Sequence, residues 1–137
     1  MINAAVLGSP ISHSLSPRLH MSAYRSLDIS GQYVSFDVPA GTLGNFLNEK
    51  NSGWTGFSLT MPLKEEVLLV ADEIDPLVKR IQCGNTLVRR DNKWILYSTD
   101  VLGFQQAWSS SNSAKPKSVL ILGSGATARA AAAAFDS

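Results

Sequence analysis

Short β-type runs alternate with helical patterns along the first half of the chain, and this alternation limits the possible folds more than any other sequence feature. The segments are β-type and helical in turn, beginning with a β-type run: 4–8, 16–27, 32–38, 41–51, 54–60 and 62–74. A helix that connects two strands packs against their sheet and returns the chain parallel to the first strand. The pattern therefore predicts an α/β layer with a mostly parallel sheet.

The following segment predicts one antiparallel pairing and two further helices. An Asp-Pro pair at 75–76 is typical of the start of a brief helix, and 101–108 has a helical pattern. Between them, the runs 85–90 and 93–99 surround an Asp-Asn pair at 91–92, which predicts a β-hairpin. The expected fold is thus an open, mostly parallel twisted sheet with flanking helices and one antiparallel hairpin.

A glycine-rich turn lies near the end of the chain, between a β-type run and an Ala-rich helical pattern. The stretch "VLILGSGATARAAAAA" places Gly123, Gly125 and Ala128 in the spacing G-x-G-x-x-G/A. Glycines allow the backbone to approach a pyrophosphate closely, and the helix N-terminus stabilises its negative charge. The segment predicts the first βα unit of a Rossmann domain; the alternative is a tight turn with small residues for packing. No Gly-Lys-Ser/Thr follows, so a P-loop is not expected.

The composition excludes several other classes of protein. With 137 residues, 45% of them hydrophobic and 17% charged, the chain has the make-up of a globular domain. A net charge of +1 gives no indication of a nucleic acid or an anionic membrane as partner. No apolar run approaches the roughly 18 residues of a membrane span, and the N-terminus does not resemble a secretory signal.

Cys83 is the only cysteine, which excludes an internal disulfide and favours a reducing, cytoplasmic location. We expect it to be a small buried residue. His13 and His20 show no metal-ligand spacing with each other or with Cys83, so no metal is predicted. His20 is expected on the surface or the core side of its helix.

A polar stretch at 109–117 is typical of a linker. The predicted organisation is a first domain at 1–108, this linker, and the start of a dinucleotide-binding domain at 118–137. The charged residue that recognises the cofactor ribose is expected about 20 residues after the glycine turn, which is past Ser137. We therefore expect a truncated piece of a longer two-domain protein. Its apolar last strand would favour association, and a homodimer is one expectation.

Polar side chains follow three of the predicted β-type runs. Ser14 and Ser16 come after the first run, Thr60 and Lys64 after the third, and Asp100 after the hairpin. Because ligands of open α/β sheets gather at the carboxyl ends of strands, we expect these side chains to converge. Each also has an ordinary structural explanation: Ser16 and Asp100 can cap helices, and Lys64 can be a solvated surface lysine beside two glutamates.

Five motifs occur in the order and spacing found in the shikimate dehydrogenase family: "GSPISHSLSPRLH", "SLTMPLKEE", "NTL", "STDVLGF" and "LGSGATAR". The chain resembles that family over essentially its whole length. The resemblance implies reversible reduction of 3-dehydroshikimate to shikimate with NADPH, in aromatic amino-acid biosynthesis. It also implies that 1–108 is a substrate-binding domain and 118–137 the start of an NADP-binding Rossmann domain. The 137-residue chain alone is then expected to be inactive.

The resemblance also implies roles for individual residues. Lys64 would donate the proton that a developing alkoxide needs, with Asp100 as its partner, so these two are the predicted catalytic residues. The serine pair would bind the substrate carboxylate together with a helix N-terminus. The residues expected to bind substrate are Ser14, Ser16, Thr60, Lys64, Asn85 and Asp100. The residues expected to bind NADP(H) are Gly123, Ser124, Gly125, Ala126, Thr127, Ala128 and Arg129.

The sequence departs from the family pattern at positions that include no predicted catalytic group. The departures are Ser58-Leu59 for Asn-Val, Cys83-Gly84 for Ala-Val, Ser98 for Asn, and Val101 and Ala126 each for Gly. Three interpretations therefore stay open: a shikimate dehydrogenase, a related enzyme preferring quinate or another cyclic polyol acid, and a non-catalytic substrate-binding module. In each, the expected partner is a small molecule such as shikimate or 3-dehydroshikimate.

Overall fold

The computed structural model describes residues 1–50, 52–111, 114 and 116–136. Within them the chain forms six strands, six α-helices and one 3₁₀ turn, Val67–Leu69. The strands are β1 Ile2–Gly8, β2 Gly31–Asp37, β3 Gly56–Leu59, β4 Glu73–Ile74, β5 Thr86–Arg90 and β6 Lys93–Tyr97. The helices are α1 Ser16–Ser26, α2 Leu43–Glu49, α3 Leu63–Glu66, α4 Pro76–Ile81, α5 Asp100–Ser110 and α6 Ala126–Phe135.

The six strands form a single sheet in the order β2-β1-β3-β5-β6-β4. β1 pairs in parallel with both β2 and β3, and β4 pairs in parallel with β6. β5 is antiparallel to both of its neighbours, so it runs against the other five described strands. The predicted α/β fold with a mostly parallel sheet and an antiparallel hairpin is confirmed.

Helices cover both faces of the sheet. On one face, Ala4, Val6 and Tyr33 pack against Met21 and Tyr24 of α1. The main apolar cluster lies on the other face, beneath α2, α3 and α4. Its members include Ala5, Leu7, Leu43, Leu47, Phe57, Leu59, Leu63, Val67, Val78, Leu87 and Leu96. Strand β1, which lies between β2 and β3, is therefore a continuous apolar run, because both of its faces are buried.

The hairpin follows its local turn chemistry. Asp91 and Asn92 connect β5 and β6 with φ of 49° and 62°, so both adopt the left-handed region that a two-residue turn of this kind requires. Asp75 also does what the sequence predicts, since its carboxylate accepts a hydrogen bond from the Leu77 amide at 2.8 Å and caps α4.

The predicted helix at 62–74 is wrong in its second half. The α-helix ends at Glu66, a 3₁₀ turn follows to Leu69, and β4 adds an edge strand to the sheet. The Asp72 carboxylate accepts a hydrogen bond from the Trp94 amide at 2.7 Å, and the Asp75 amide donates to the Leu96 carbonyl at 3.0 Å. Pairing with β6 thus determines the conformation of 72–75, and no local pattern of the segment encodes that partner.

Two further differences concern the second half of the chain. α5 extends to Ser110, so the first two residues of the predicted linker 109–117 are helical. The predicted strand before the glycine turn is not formed: residues 118–122 pair with no other described strand, and Leu120 and Leu122 are 85% and 90% exposed. An apolar run becomes a strand only when a neighbour accepts its backbone hydrogen bonds. Residues 51, 112, 113, 115 and 137, which include parts of the predicted helix 41–51 and of the linker, lie outside the described residues.

Candidate active site at the carboxyl edge of the sheet

Lys64 and Asp100 meet across the carboxyl edge of the sheet. The Lys64 Nζ lies 2.7 Å from the Asp100 Oδ2, and the two side chains are only 17% and 26% exposed. Lys64 is carried by α3, which follows β3, and Asp100 is the first residue of α5, which follows β6. A carboxylate at a helix N-terminus is favourable, and here it is also the counter-charge of a half-buried amine.

Asn85 joins this pair from the loop that precedes β5. Its Nδ2 donates to Asp100 Oδ1 at 2.8 Å and to Thr99 Oγ1 at 2.9 Å. Its Oδ1 accepts from the Thr99 amide at 2.9 Å and from Thr86 Oγ1 at 2.8 Å, which orients the side-chain amide. Lys64, Asn85 and Asp100 therefore form one hydrogen-bonded group, although they are distant in sequence.

Asp100 does not serve as the cap of α5. Thr99 occupies the N-cap position, but its side chain makes no capping hydrogen bond to the helix, and both oxygens of Asp100 are used by Lys64 and Asn85. The simple alternative for Lys64, a solvated lysine, is likewise inconsistent with its burial and ion pair.

Three consecutive charged residues attach α3 to three other elements. Lys64 binds Asp100 in α5, Glu65 binds Arg129 in α6, and Glu66 accepts hydrogen bonds from the amides of Gly41 and Leu43 at the start of α2. A helix of four residues is too short to be stable by its own hydrogen bonds. These tertiary contacts therefore position the helix that carries Lys64.

Thr60 lies next to the end of β1 because Gly8 has no side chain. A Cβ on Gly8 would be 2.5 Å from Thr60 Cγ2 and 2.8 Å from the Met61 carbonyl oxygen. The close approach is completed by a hydrogen bond of 3.0 Å from the Ser9 amide to that same carbonyl. The loop after β1 and the loop after β3 are thus fastened together at the carboxyl edge.

Ser14 and Ser16 lie on this fastened loop. The Ser14 hydroxyl accepts a hydrogen bond of 3.3 Å from the Ser16 amide, and Leu15, rather than Ser16, occupies the N-cap position of α1. Ser16 therefore does not cap this helix, which was the ordinary structural alternative for it; Ser14 satisfies the first amide instead. Within residues 1–50 and 52–111, no hydrogen bond joins the serine pair to Lys64.

A cavity of about 550 Å³ connects Lys64 with the glycine turn. One wall is formed by Thr60, Lys64 and Glu65, and the other by 122–123 and 125–128. Added Cβ atoms on Gly123 and Gly125 would meet nothing within 4 Å, so open space lies in front of this backbone. Gly123 has φ of +128°, a conformation that favours glycine.

Arg129 lies differently from the rest of this turn. Its guanidinium donates to the carbonyls of Ile81, Gln82 and Ser124 and pairs with Glu65, with an Nη2–Oε1 distance of 2.5 Å. It is not one of the cavity-lining residues. Arg129 therefore contacts other residues of the chain and does not face the cavity.

Sequence reasoning missed a polar group on the α1 side of the sheet. Tyr33 Oη donates to Ser58 Oγ at 2.7 Å, and the His20 ring stacks on Tyr33 with 3.9 Å between centroids. Burial lowers the pKa of His20 and raises that of Tyr33. Ser58 lies in β3 and Thr60 directly follows that strand. Their spacing of two residues is the sequence signal that could have placed both side chains on one face of the sheet.

Cys83 is buried, as predicted, and its Sγ lies 3.3 Å from the Ala126 carbonyl oxygen. Burial raises the pKa of this thiol.

Among the described residues, no three His, Cys, Asp or Glu side chains are grouped so as to hold a metal ion. Over the same part of the chain, no helix has the length and apolarity to cross a membrane.

The sheet order and the charged group define an α/β domain with a hydrogen-bonded lysine, aspartate and asparagine at the carboxyl edge of its sheet. The family model described as the shikimate dehydrogenase substrate binding domain matches residues 6–87, which is more than half of the chain. The chain belongs to the shikimate dehydrogenase family, and the resemblance stated from its motifs is confirmed.

Individual relatives agree with this assignment. A shikimate dehydrogenase (NADP(+)) of Bacillus cereus is 43% identical over 129 residues, covering 91% of this chain and 46% of the relative. A crystal structure of shikimate 5-dehydrogenase from Thermus thermophilus in complex with NADP(H) and shikimate superposes with a TM-score of 0.95 at 36% identity. That match covers 99% of this chain and 52% of the other, so the chain spans about half the length of these relatives.

A neighbour with a different name is also similar. The ligand-free 5-ketofructose reductase of a Gluconobacter strain superposes with a TM-score of 0.86 at 28% identity, covering 96% of this chain and 48% of the other. The same architecture is therefore present in a protein named for another substrate.

Proposed function

We propose that this chain supplies the substrate site, and the first part of the cofactor site, of an NADP-dependent shikimate dehydrogenase. The observation that carries the proposal is the hydrogen-bonded group of Lys64, Asp100 and Asn85 beside a cavity that reaches the glycine turn. The family membership and the relatives named for this reaction support the choice of substrate.

Lys64 acts as the general acid. When a ketone is reduced, negative charge develops on its oxygen, and the Lys64 ammonium donates a proton to that oxygen as it becomes a hydroxyl. The amine that remains is reprotonated from solvent, and in the oxidative direction it accepts the proton. Asp100 keeps the ammonium oriented at 2.7 Å. A positioned acid of this kind contributes roughly 10²–10⁴-fold to a rate.

Asn85 and the serine pair recognise the substrate. One amide hydrogen of Asn85 is directed to Asp100, while the other, now on Thr99 Oγ1, is available for exchange with a ring hydroxyl. Ser14 and Ser16 lie at the N-terminus of α1, whose eleven residues provide a positive dipole end for a carboxylate. Thr60 contributes a further hydroxyl from the cavity wall.

The glycine turn fits the phosphates of NADP(H). Open space lies in front of Gly123 and Gly125, and α6 begins directly after them at Ala126. The first amides of such a helix bind phosphate oxygens, so we assign the main-chain amides of 124–128 to this role. When bound, NADPH supplies the hydride for the reduction.

Ligand-binding measurements can test the serine pair and the hydrogen-bonded group of Lys64, Asn85 and Asp100 separately. We expect calorimetric titration of the chain with shikimate to show binding, weakened by Asp100→Asn and by the double change Ser14→Ala/Ser16→Ala. The methyl ester of shikimate lacks the carboxylate, so it should bind wild type more weakly but show little further loss with the serine variant. Lys93→Met, which removes an exposed ion pair with Glu73, is the matched control. Equal affinity of all these variants for shikimate would contradict the proposal.

A second candidate is a reductase of other polyhydroxylated ketones. The neighbour named for 5-ketofructose supports it, and so does the Tyr33–Ser58 hydrogen bond at a position where the family usually has Asn. A dehydrogenase that prefers quinate, which retains a carboxylate, is a separate alternative, and a binding module without turnover is another. Preference for a carboxylate-free polyol ketone over shikimate in the titration would favour this candidate. Turnover assays with NADPH and full-length protein distinguish an enzyme from a binding module.

The cellular setting is part of the proposal. An unpaired, buried cysteine is compatible with a reducing cytoplasm. The exposed leucines of 118–122 are compatible with a homodimer, which sedimentation would test.

A further inference from the structure

We propose that Arg129 is a positioning residue that holds the glycine turn at a fixed distance from the helix carrying Lys64. For its catalytic consequence this inference rests on the proposed function, but its structural part can be tested alone. The resemblance to the family implies that Arg129 binds the cofactor. Its contacts instead indicate that it sets the distance between the two walls of the cavity.

The guanidinium connects three segments. Nε donates to the Ile81 carbonyl at 2.8 Å, and Nη2 donates to the Gln82 carbonyl at 3.0 Å and pairs with Glu65. Nη1 reaches the Ser124 carbonyl at 3.3 Å, inside the glycine turn. One side chain of α6 therefore binds the end of α4, the helix α3 and the turn that precedes its own helix.

The chemistry of this junction calls for arginine. Ile81 and Gln82 form the end of α4, where carbonyl groups lack partners within the helix. A planar guanidinium can serve two such carbonyls and a carboxylate together, because its donors are arranged in a rigid fork. A lysine ammonium keeps the charge but is a compact donor that cannot span them in this geometry.

The junction also reaches the residues proposed for catalysis. Glu65 is the neighbour of Lys64 in α3, and the Lys64 carbonyl accepts a hydrogen bond of 2.9 Å from the Gly84 amide. The segment that starts at Gln82 leads directly to Asn85. Displacement of Arg129 would therefore release both the cavity wall that carries Lys64 and the opposite wall at the glycine turn.

The apolar contacts of α6 come from small buried alanines and from Phe135 at its end, which packs edge-on against Trp108 with 5.8 Å between ring centroids. The buried residues of α6 are Ala130 and Ala134, which pack on Ile81, Cys83 and Val101. An alanine methyl group buries little apolar area, so each such contact adds little to docking. Near the glycine turn the buried side chains of α6 are alanines, so the polar junction at Arg129 adds to what keeps that end of the helix in place, while Phe135 and Trp108 hold the other end.

Cys83 provides a probe of this docking. It is the only cysteine, it is 2% exposed, and α6 covers it at the Ala126 carbonyl. A neutral aromatic disulfide such as dithiodipyridine can modify the thiol only after α6 moves away. Arg129 also lowers the pKa of Cys83 by its positive charge. Removal of Arg129 would therefore slow the reaction of an accessible Cys83 thiol. Any acceleration of modification must then come from opening of α6.

The experiment compares modification rates of wild type, Arg129→Met, Arg129→Lys and Glu65→Gln at neutral pH, with Lys93→Met as the control. We expect Arg129→Met to accelerate modification by at least about tenfold, since loss of charge-assisted hydrogen bonds shifts an opening equilibrium by that order. Arg129→Lys and Glu65→Gln should each give a smaller acceleration, and Lys93→Met none. Modification of Arg129→Met at the wild-type rate would overturn the inference.

Urea distinguishes local opening from general destabilisation. Opening of α6 exposes little surface, so the accelerated rate should depend only weakly on urea below the unfolding transition. An acceleration with the full urea dependence of global unfolding would mean a merely structural role and would also overturn the inference. Addition of NADP⁺ to the full-length protein should slow modification of Cys83. If it does not, the assignment of the cofactor fails, while the rates of the variants still decide the role of Arg129.

Discussion

Replacement of Asp100 by Asn tests the charged group most directly, because it changes charge and hydrogen bonding without changing shape. The two carboxylate oxygens of Asp100 accept separate hydrogen bonds, Oδ2 from Lys64 and Oδ1 from Asn85. An asparagine has one oxygen and one NH₂ group. Whichever way it is turned, a donor then faces either the Lys64 ammonium or the Asn85 amide.

The size of the effect follows from distance and burial. At 2.7 Å and an effective dielectric constant of about 20, the Coulomb attraction of two unit charges is roughly 6 kcal/mol. Most of it is offset by the desolvation of two side chains that are only 17% and 26% exposed. Hydrogen bonds to charged groups contribute about 1.5–3 kcal/mol net. We therefore expect Asp100→Asn to lower the free energy of unfolding by about 2 kcal/mol.

The assay is urea unfolding at pH 7, followed by tryptophan fluorescence, for Asp100→Asn, Lys64→Met and the double variant. Once Lys64 is absent, the change at Asp100 should cost much less, so the cycle should show a coupling of about 1.5–2 kcal/mol. The same cycle on the exposed pair of Lys93 and Glu73 is the control and should show almost none. Additive effects of the Lys64 and Asp100 changes would refute the existence of a stabilising pair, and with it the geometry proposed for proton transfer.

Three further outcomes are expected. Gly8→Ala should destabilise the protein by about 1–3 kcal/mol in urea unfolding, because its Cβ would overlap the backbone at Met61; a neutral change would mean that this approach is looser. Glu66→Gln should cost about 1–2 kcal/mol in the same assay, since a single amide oxygen replaces two that bind the start of α2, and an unchanged midpoint would contradict this contact. Burial lowers the pKa of His20, so as pH falls the unfolded chain binds the proton before the folded chain does, and the free energy of unfolding should decline as pH falls through about 6.5. His20→Phe keeps an aromatic ring against Tyr33 and should remove that decline. A variant with the same pH profile as wild type would refute this role of His20.

Local patterns were sufficient for the elements that depend on local chemistry. The Asp91-Asn92 turn adopts positive φ as its residue types favour, and Asp75 caps α4 through its own carboxylate. Apolar runs with the right period also located β1, β2, β3 and α1 to within a few residues. These features succeed because the interactions responsible lie within one turn or one strand.

Features that depend on a distant partner were predicted poorly. The two-residue strand β4 exists only because the edge of β6 accepts it, and 118–122 remains unpaired in spite of its β-type composition. The contacts by which Glu65 and Glu66 hold α3 could not be predicted from local sequence either. The partner of Glu65 is 64 positions away, and the partners of Glu66 are 23 or more positions away.

The sequence by itself determined the α/β class, the hairpin, the glycine turn and the identity of the residues that resemble a family's site. Only the tertiary structure decided that Lys64 and Asp100, 36 positions apart, are within hydrogen-bond distance and that Arg129 is engaged with Glu65. The physical reason is that residue types and local periodicity set short-range conformation. The distance between charged groups, in contrast, depends on strand order and on how each helix is held against the sheet.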